Sequence, residues 1–422
     1  MTKTERILSA LIMPIALPIV LIMYVINLLS RGKYCNEVFD AGERAFGSSA
    51  QKERIKADVV TSTPSLDQHA EVMARVTDLV KADNLLELSD WIKNLDQSRA
   101  RCDANVSLAE TAIDTLLDTT AEYRTEGHDC HPDDILFFED ALVSRYEQEA
   151  AQHAQSYPLT VIAARMRCFQ GWTHRGSDYA NYVSDDGWFG MAERFGQADL
   201  LLQRYDPARD DAPLLAAARH QLLAFMPRAE KYVYEFYHEW SQLDRQNQTP
   251  HRQHALMMLP RWFGSDHDLQ IAASQAAANT HDVTGEAAYF TMYRTVLDAW
   301  DPHVLSMDTT RFAQGAHDFL SLRNNDPFCV NQLINQMGWW YAWGAARGLN
   351  ASQKKRRNQI SADLRALHDD LLRTRLTAIY VDAWEDGEEA GIEELVRVFK
   401  EELENNEVIL TGDGPVLRPL TH

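Results

Sequence analysis

The chain has 422 residues, with 41 Lys+Arg against 62 Asp+Glu and a formal charge of −21. A charged fraction of 24% and a hydrophobic fraction of 45% belong to a folded protein with a large core and exclude a wholly disordered chain. The acidic balance argues against a general binder of nucleic acid or anionic lipid, because the long-range field repels polyphosphate.

Residues 7–29, ILSALIMPIALPIVLIMYVINLL, are uncharged and mostly apolar. As a helix this run covers roughly 34 Å, enough to cross a hydrocarbon layer of about 30 Å. Lys3 and Arg6 bound it on one side, Arg31 and Lys33 on the other, and Pro14 and Pro18 are tolerated in a membrane span. A cleaved signal peptide would have a shorter apolar region followed by small residues; here Asn27-Leu28-Leu29-Ser30-Arg31-Gly32-Lys33 follows. The expectation is a retained transmembrane helix and a single-pass membrane protein. Nearby positive charges almost balance across the run, which leaves the side of the soluble part open. Five cysteines (Cys35, Cys102, Cys130, Cys168, Cys329) are widely spaced with no CxxC pair, which disfavours a disulfide framework or zinc site.

Residues 30–65 read as a juxtamembrane linker, with Gly47-Ser48-Ser49 and Thr61-Ser62-Thr63-Pro64-Ser65. From Leu66 the apolar period is helical: Val72, Met73, Val76, Leu79 and Val80, then after Asp83-Asn84 a second set, Leu85, Leu88, Trp91, Ile92 and Leu95. Two helices joined by a short polar break form a hairpin. Further helices are expected over 106–122, 134–153, 159–173, 186–204, 212–226, 230–243, 251–262, 267–278, 285–299, 308–322, 328–347, 355–384 and 391–404. Asp206-Pro207, Pro227, Pro250, Gly264-Ser265-Asp266, Thr284-Gly285, Asp301-Pro302 and Asp326-Pro327 punctuate them. Val408-Ile409-Leu410 is too short to count as strand. The predicted class is all-α: a degenerate array of helical hairpins over 66–350, a helical extension over 351–405 and a tail over 406–422, behind the transmembrane helix.

Three stretches carry a resemblance: LLELSDWIKNL (85–95), GWTHRGSDYANYVSDDGWFGMAERFGQAD (171–199) and HALMMLPRWFGSDHDLQIAASQAA (254–277), the last with a Leu-Pro-Arg-Trp-x-Gly-Ser joint between two helices. Over residues 68–350 the chain resembles bacterial tetratricopeptide-like helical-repeat proteins, in particular an uncharacterised family of that type whose members share this joint. The resemblance implies a stacked-hairpin fold, a bacterial source, hence the inner membrane, and partner binding. It implies no reaction.

Candidate chemistry is sparse. His128-Asp129-Cys130-His131-Pro132-Asp133-Asp134 is dense in metal-ligand types, but adjacent residues in one loop rarely converge, and a helix start with Pro132 at its first position explains them. Asp382, Asp386, Gly387 and Glu393 match part of a calcium loop, yet Trp384 occupies the third ligand position. His251 and His254 share a helix face without an HExxH motif and read as exposed residues of a helix start. Lys354-Lys355-Arg356-Arg357 reads as a solvated helix start, and Trp339, Trp340, Tyr341 and Trp343 as packing between helices. Arg175, Tyr179, Arg261 and Trp262 sit at interhelix joints and are the candidate binding residues, since aromatics beside Arg are what interface hot spots look like. The expected function is a non-enzymatic adaptor or scaffold for a protein or peptide partner, held to the membrane through residues 7–29, with no cofactor, no metal and no nucleic acid. The alternative is an enzyme, a hydrolase or secretion-associated effector, with its site at the His/Asp-rich joints.

Overall fold

A computed structural model of the chain describes residues 48–123, 136–176, 182–299, 304–342, 349–384 and 387–420. It is mostly helical (69%), with 16 α-helices among these residues. None of those helices is long and apolar enough to cross a membrane, and the apolar run at 7–29 lies outside the described residues. The chain divides into two compact units, Val60–Leu371 and a smaller one made from the stretches before and after it.

The larger unit is a succession of helices: α1 (Pro64–Lys81), α2 (Leu85–Gln97), α3 (Leu108–Thr120), α4 (Asp140–Gln152), α5 (Tyr157–Arg175), α6 (Asp185–Leu202), α7 (Pro213–Gln221), α8 (Val233–Leu243), α9 (Thr249–Met257), α10 (Asp266–Thr284), α11 (Ala287–Asp298), α12 (Thr309–Leu322), α13 (Pro327–Ala342) and α14 (Ala351–Thr374), whose last turn passes into the smaller unit. The caps written in the sequence start them. Thr63, Ser107, Ser184, Ser265 and Asp308 each accept a hydrogen bond from a backbone N–H of the first turn. Proline opens α1, α5, α7 and α9, where its missing N–H costs nothing.

Neighbouring helices pack in pairs, but two helices do more. α5 packs against α2, α3, α4, α6 and α7, and α11 against α9, α10, α12 and α13. Both are apolar on nearly every side, as a helix surrounded by others must be. The buried Arg167 guanidinium of α5 is matched: it donates to Glu147 at 2.7 and 3.0 Å and to Asp140 at 3.1 Å. The Leu-Pro-Arg-Trp-x-Gly-Ser joint closes α9. Trp262 N–H donates to Leu259 C=O at 2.8 Å, Phe263 N–H to Met257 C=O at 3.1 Å, and Ser265 then caps α10. Gly264 is required there because a Cβ would lie 2.4 Å from the Met258 carbonyl oxygen.

The smaller unit departs from the all-helical expectation. The stretch read as a tail forms an antiparallel hairpin, Asn406–Thr411 with Gly414–Pro419, and Ile55–Lys56 from the stretch read as linker adds in parallel to its first strand. The helices Ser49–Lys52 and Glu388–Val398 accompany this sheet, tied by Lys52 Nζ to Glu393 at 2.6 Å and Glu389 at 2.9 Å. The helix expected over 355–384 ends at Thr374, and Ile379–Tyr380 is extended, its Ile379 N–H donating to Asp58 C=O at 2.9 Å. The helix expected from 134 starts only at Asp140, after a two-residue strand, Leu136–Phe137, paired with Glu122–Tyr123. In each case a short extended segment is stabilised by a partner it meets only in the folded chain.

Candidate functional site

The sequence candidates lie in different surroundings. Arg175 lies over two indoles, Trp172 at 5.7 Å and Trp188 at 5.3 Å, and donates to the Gly176 carbonyl at 2.8 Å. Trp262 meets Trp172 edge-on at 6.3 Å, so these two candidates are brought together through Trp172. Arg261 is exposed and has no side-chain hydrogen bond or ion pair among the described residues, and Tyr179 lies outside them. The His128–Asp134 cluster and two calcium-loop residues, 385 and 386, are also outside; Glu393 is bound to Lys52. Among the described residues no group of three His, Cys, Asp or Glu converges on a metal position. The basic run is split, with Arg356 donating to the Leu305 carbonyl and the buried Arg357 to the Trp340 carbonyl at 3.2 Å. Trp340 is buried and donates to Asp298 at 3.0 Å, whereas Trp339 is exposed.

His251 and His254 are buried, contrary to the expectation of an exposed helix start. Tyr237 stacks on His254 at 4.0 Å and shares a 2.7 Å hydrogen bond with His251 Nδ1. Burial lowers His220 and His251 to about 4 and holds His254 well below the usual range, so all three rings are neutral near pH 7.

What the sequence reading missed is a groove along α9. The face of α9 bearing Thr249, Arg252, Gln253 and Met257 repeats at i, i+4 spacing, and three depressions follow it, each sharing residues with the next. The first, about 480 Å³, is lined by polar stripes of α3, α11 and α13 at the same helical spacing: Glu110 and Asp114; Thr291, Arg294 and Asp298; Cys329, Gln332 and Gln336. Its carboxylates are occupied. Glu110 accepts from Asn247 and Thr249, both at 2.7 Å, Asp114 pairs with Arg165 at 2.8 Å, and Asp298 accepts from Trp340. Burial raises the pKa of Glu110 and of Asp298.

Its guanidiniums are less well matched. Arg294 donates to Gln336 at 2.6 Å and lies 3.7 Å from Asp298. Burial lowers its pKa, Asp298 opposes this, and the Arg323 and Arg252 charges lower it further. Arg323 lies 4.6 Å over Phe319 and donates to the Ala104 carbonyl, but its buried Nε has no acceptor among the described residues. Arg252 is exposed and has no side-chain hydrogen bond or ion pair among them. Three guanidiniums thus lie within electrostatic reach of one another in a depression that three carboxylates, Glu110, Asp114 and Asp298, also line. The Cys329 thiol beside them is held protonated by burial, which outweighs Arg323, so it is not an activated nucleophile.

The second depression, about 80 Å³, shares Glu110, Asp114, Thr249 and Arg252 with the first and adds Trp240, whose buried Nε1–H has no acceptor among the described residues. The third, about 180 Å³, shares Gln221 and Gln253 with the second. Phe169, Trp172, His220, Trp262 and Met257 wall it, and the buried His220 Nε2 has no partner among the described residues. The first depression's detectable sequence signal was an i, i+4 charge pair, Arg294 and Asp298, inside the otherwise apolar AAYFTMYRTVLDAW. Comparison with protein-family models, curated proteins and solved structures found no match.

Proposed function

We propose that the protein is a membrane-anchored, tetratricopeptide-like helical-repeat adaptor of the bacterial inner membrane whose larger unit holds an extended, acid-bearing peptide segment of a protein partner in the groove along α9. Residues 7–29 supply the anchor in this reading. The observation that carries it is the groove along α9 with Arg252 exposed at its edge, without a side-chain partner among the described residues, and Arg294 and Arg323 lining the same depression. A carboxylate beside the three guanidiniums makes charge-assisted bonds, stronger than those between neutral groups.

The test uses the full chain in mild detergent and a fluorescein-labelled Gly/Ser peptide with an Asp-Glu pair, read by anisotropy. Arg252→Glu should weaken binding about tenfold or more, since it removes one charge and inserts its opposite. Arg261→Glu, a charge change of the same size outside the groove, should leave it within about twofold. Equal losses from both substitutions, or no binding by the unmodified chain, would overturn the groove as the site.

A further inference from the structure

Among the described residues the three most exposed large apolar side chains, Tyr182 (76%), Phe189 (72%) and Leu200 (65%), lie on or just before α6. Phe189 and Leu200 are about three helical turns apart and so share one face. Glu193 and Gly196 stand between them on that face, and Asp185 and Arg204 end the row, all four exposed. The opposite face of α6 is the buried one, with Gly190, Met191, Phe195 and Ala198. Asp185, Glu193 and Arg204 have no side-chain hydrogen bond or ion pair among the described residues. Packing within the chain does not call for Gly196: a Cβ there would meet nothing within 4 Å, and glycine is a poor residue for a helix interior.

This row complements itself when reversed, as a two-fold contact between identical surfaces requires. We infer that the larger unit pairs with a second copy of the chain through the exposed face of α6, the two helices antiparallel and centred between Arg194 and Phe195. Asp185 then faces the second copy's Arg204, Phe189 faces its Leu200 and Glu193 faces its Gly196, each contact occurring twice. The two Phe–Leu contacts bury apolar surface that each copy alone leaves in water. Opposite charges at both ends fix register and direction, whereas a parallel pair would set Asp185 against Asp185 and Arg204 against Arg204. Gly196 lets the axes approach toward the short end of the usual 8–10 Å. The row spans about 28 Å of a single helix, less than the ~800 Å² per partner of a standard interface provides, so the pair is weak and depends on concentration. None of its residues lines the groove along α9, so the pairing and the groove reading fail separately.

The experiment is sedimentation velocity of the full chain in mild detergent, with a fluorescent trace at about 0.1 µM and unlabelled chain from about 1 to 200 µM. The trace should pass from one copy to two over that range. Phe189→Glu and Leu200→Glu, both at exposed positions, should each weaken pairing about tenfold or more. Asp185→Arg and Arg204→Asp should each weaken it severalfold, because like charges then meet at both ends. A labelled Asp185→Arg trace should nevertheless pair with unlabelled Arg204→Asp chain about as well as the unmodified chain pairs with itself, since mixing restores opposite charges at both ends. Gly196→Leu should raise the melting temperature of the single chain while weakening pairing, two effects that a glycine serving only its own helix would not separate. A trace still single at the highest concentration would overturn the pairing. Pairing that none of these substitutions alters would place the contact elsewhere and overturn the α6 face. Losses from both charge reversals without recovery on mixing would overturn the antiparallel register.

Discussion

Burial of an ionisable side chain gives a protein a pH dependence whose sign follows from which form is charged. His220 and His251 are neutral when buried, with pKa values near 4 against an ordinary 6.5. The unfolded chain therefore binds protons more readily, and each histidine withdraws stability as pH falls from about 6.5 to 4, by roughly 3 kcal/mol at most. Asp96 acts in the opposite sense. It is buried at the end of α2, where it accepts from Tyr157 Oη at 2.7 Å and from Leu214 N–H at 3.3 Å, and desolvation raises it to about 7 from 3.8. Its stabilising contribution is complete below about pH 4 and lost as pH rises through 7, up to roughly 4 kcal/mol. Asp96→Asn keeps an acceptor for both donors and removes the charge. The variant should exceed the unmodified protein in stability at pH 8, lose that advantage by pH 4, and fall more steeply between because only the histidines still titrate. Urea unfolding midpoints at pH 8, 6 and 4.5 measure this, and parallel curves for the two proteins would refute it.

Between elements, α12 approaches α11 closely at Gly315. A Cβ at Gly315 would stand 2.5 Å from the Glu286 carbonyl oxygen and 2.7 Å from Phe290 Cβ, and backbone cannot yield as a flexible side chain does. Gly315→Ala gains about 1 kcal/mol of helix propensity and loses about 1–3 kcal/mol or more to overpacking, so the variant should melt lower. A melting temperature at or above that of the parent would show that α12 slides at little cost. Glycine at this position was invisible as a packing requirement in the sequence, where it read as an ordinary helix residue. The same contrast holds more widely. Helix starts were legible because a cap is a local bond: Ser107, Ser184, Ser265 and Asp308 each reach an N–H two or three residues on. The hairpin at 406–419 was not, because its first strand takes Ile55–Lys56, from near the other end of the chain, as its parallel neighbour. Nor was the groove, whose walls come from α3, α7, α9, α11 and α13 and whose charges appear in sequence as scattered single residues. His251 and His254 were misread for a related reason. A polar ring at a helix start is ordinarily exposed, and only the stacking of Tyr237 on His254 shows that this one is covered.

At the scale of the molecule, a net charge of −21 opposes the attraction that Arg252, Arg294 and Arg323 of the groove exert on an acid. The two act over different distances. An approaching acidic peptide first meets the field of the whole chain, which reaches about 30 Å at 0.01 M salt but only about 8 Å at 0.15 M. Once seated, its carboxylate contacts guanidiniums directly, and partly buried pairs are screened far less than distant ones. Raising salt should therefore speed association of the acidic peptide severalfold while changing its dissociation little, the reverse of the usual pattern for a charge-recognising site. Stopped-flow mixing of the labelled Asp-Glu peptide with the full chain between 0.01 and 0.2 M salt separates the two rates. A neutral peptide of the same length, if it binds at all, should show no such acceleration. An association rate for the acidic peptide that falls as salt rises would mean that the arginine cluster steers from a distance, and that the acidic residues lie too far from the groove mouth to repel what enters it.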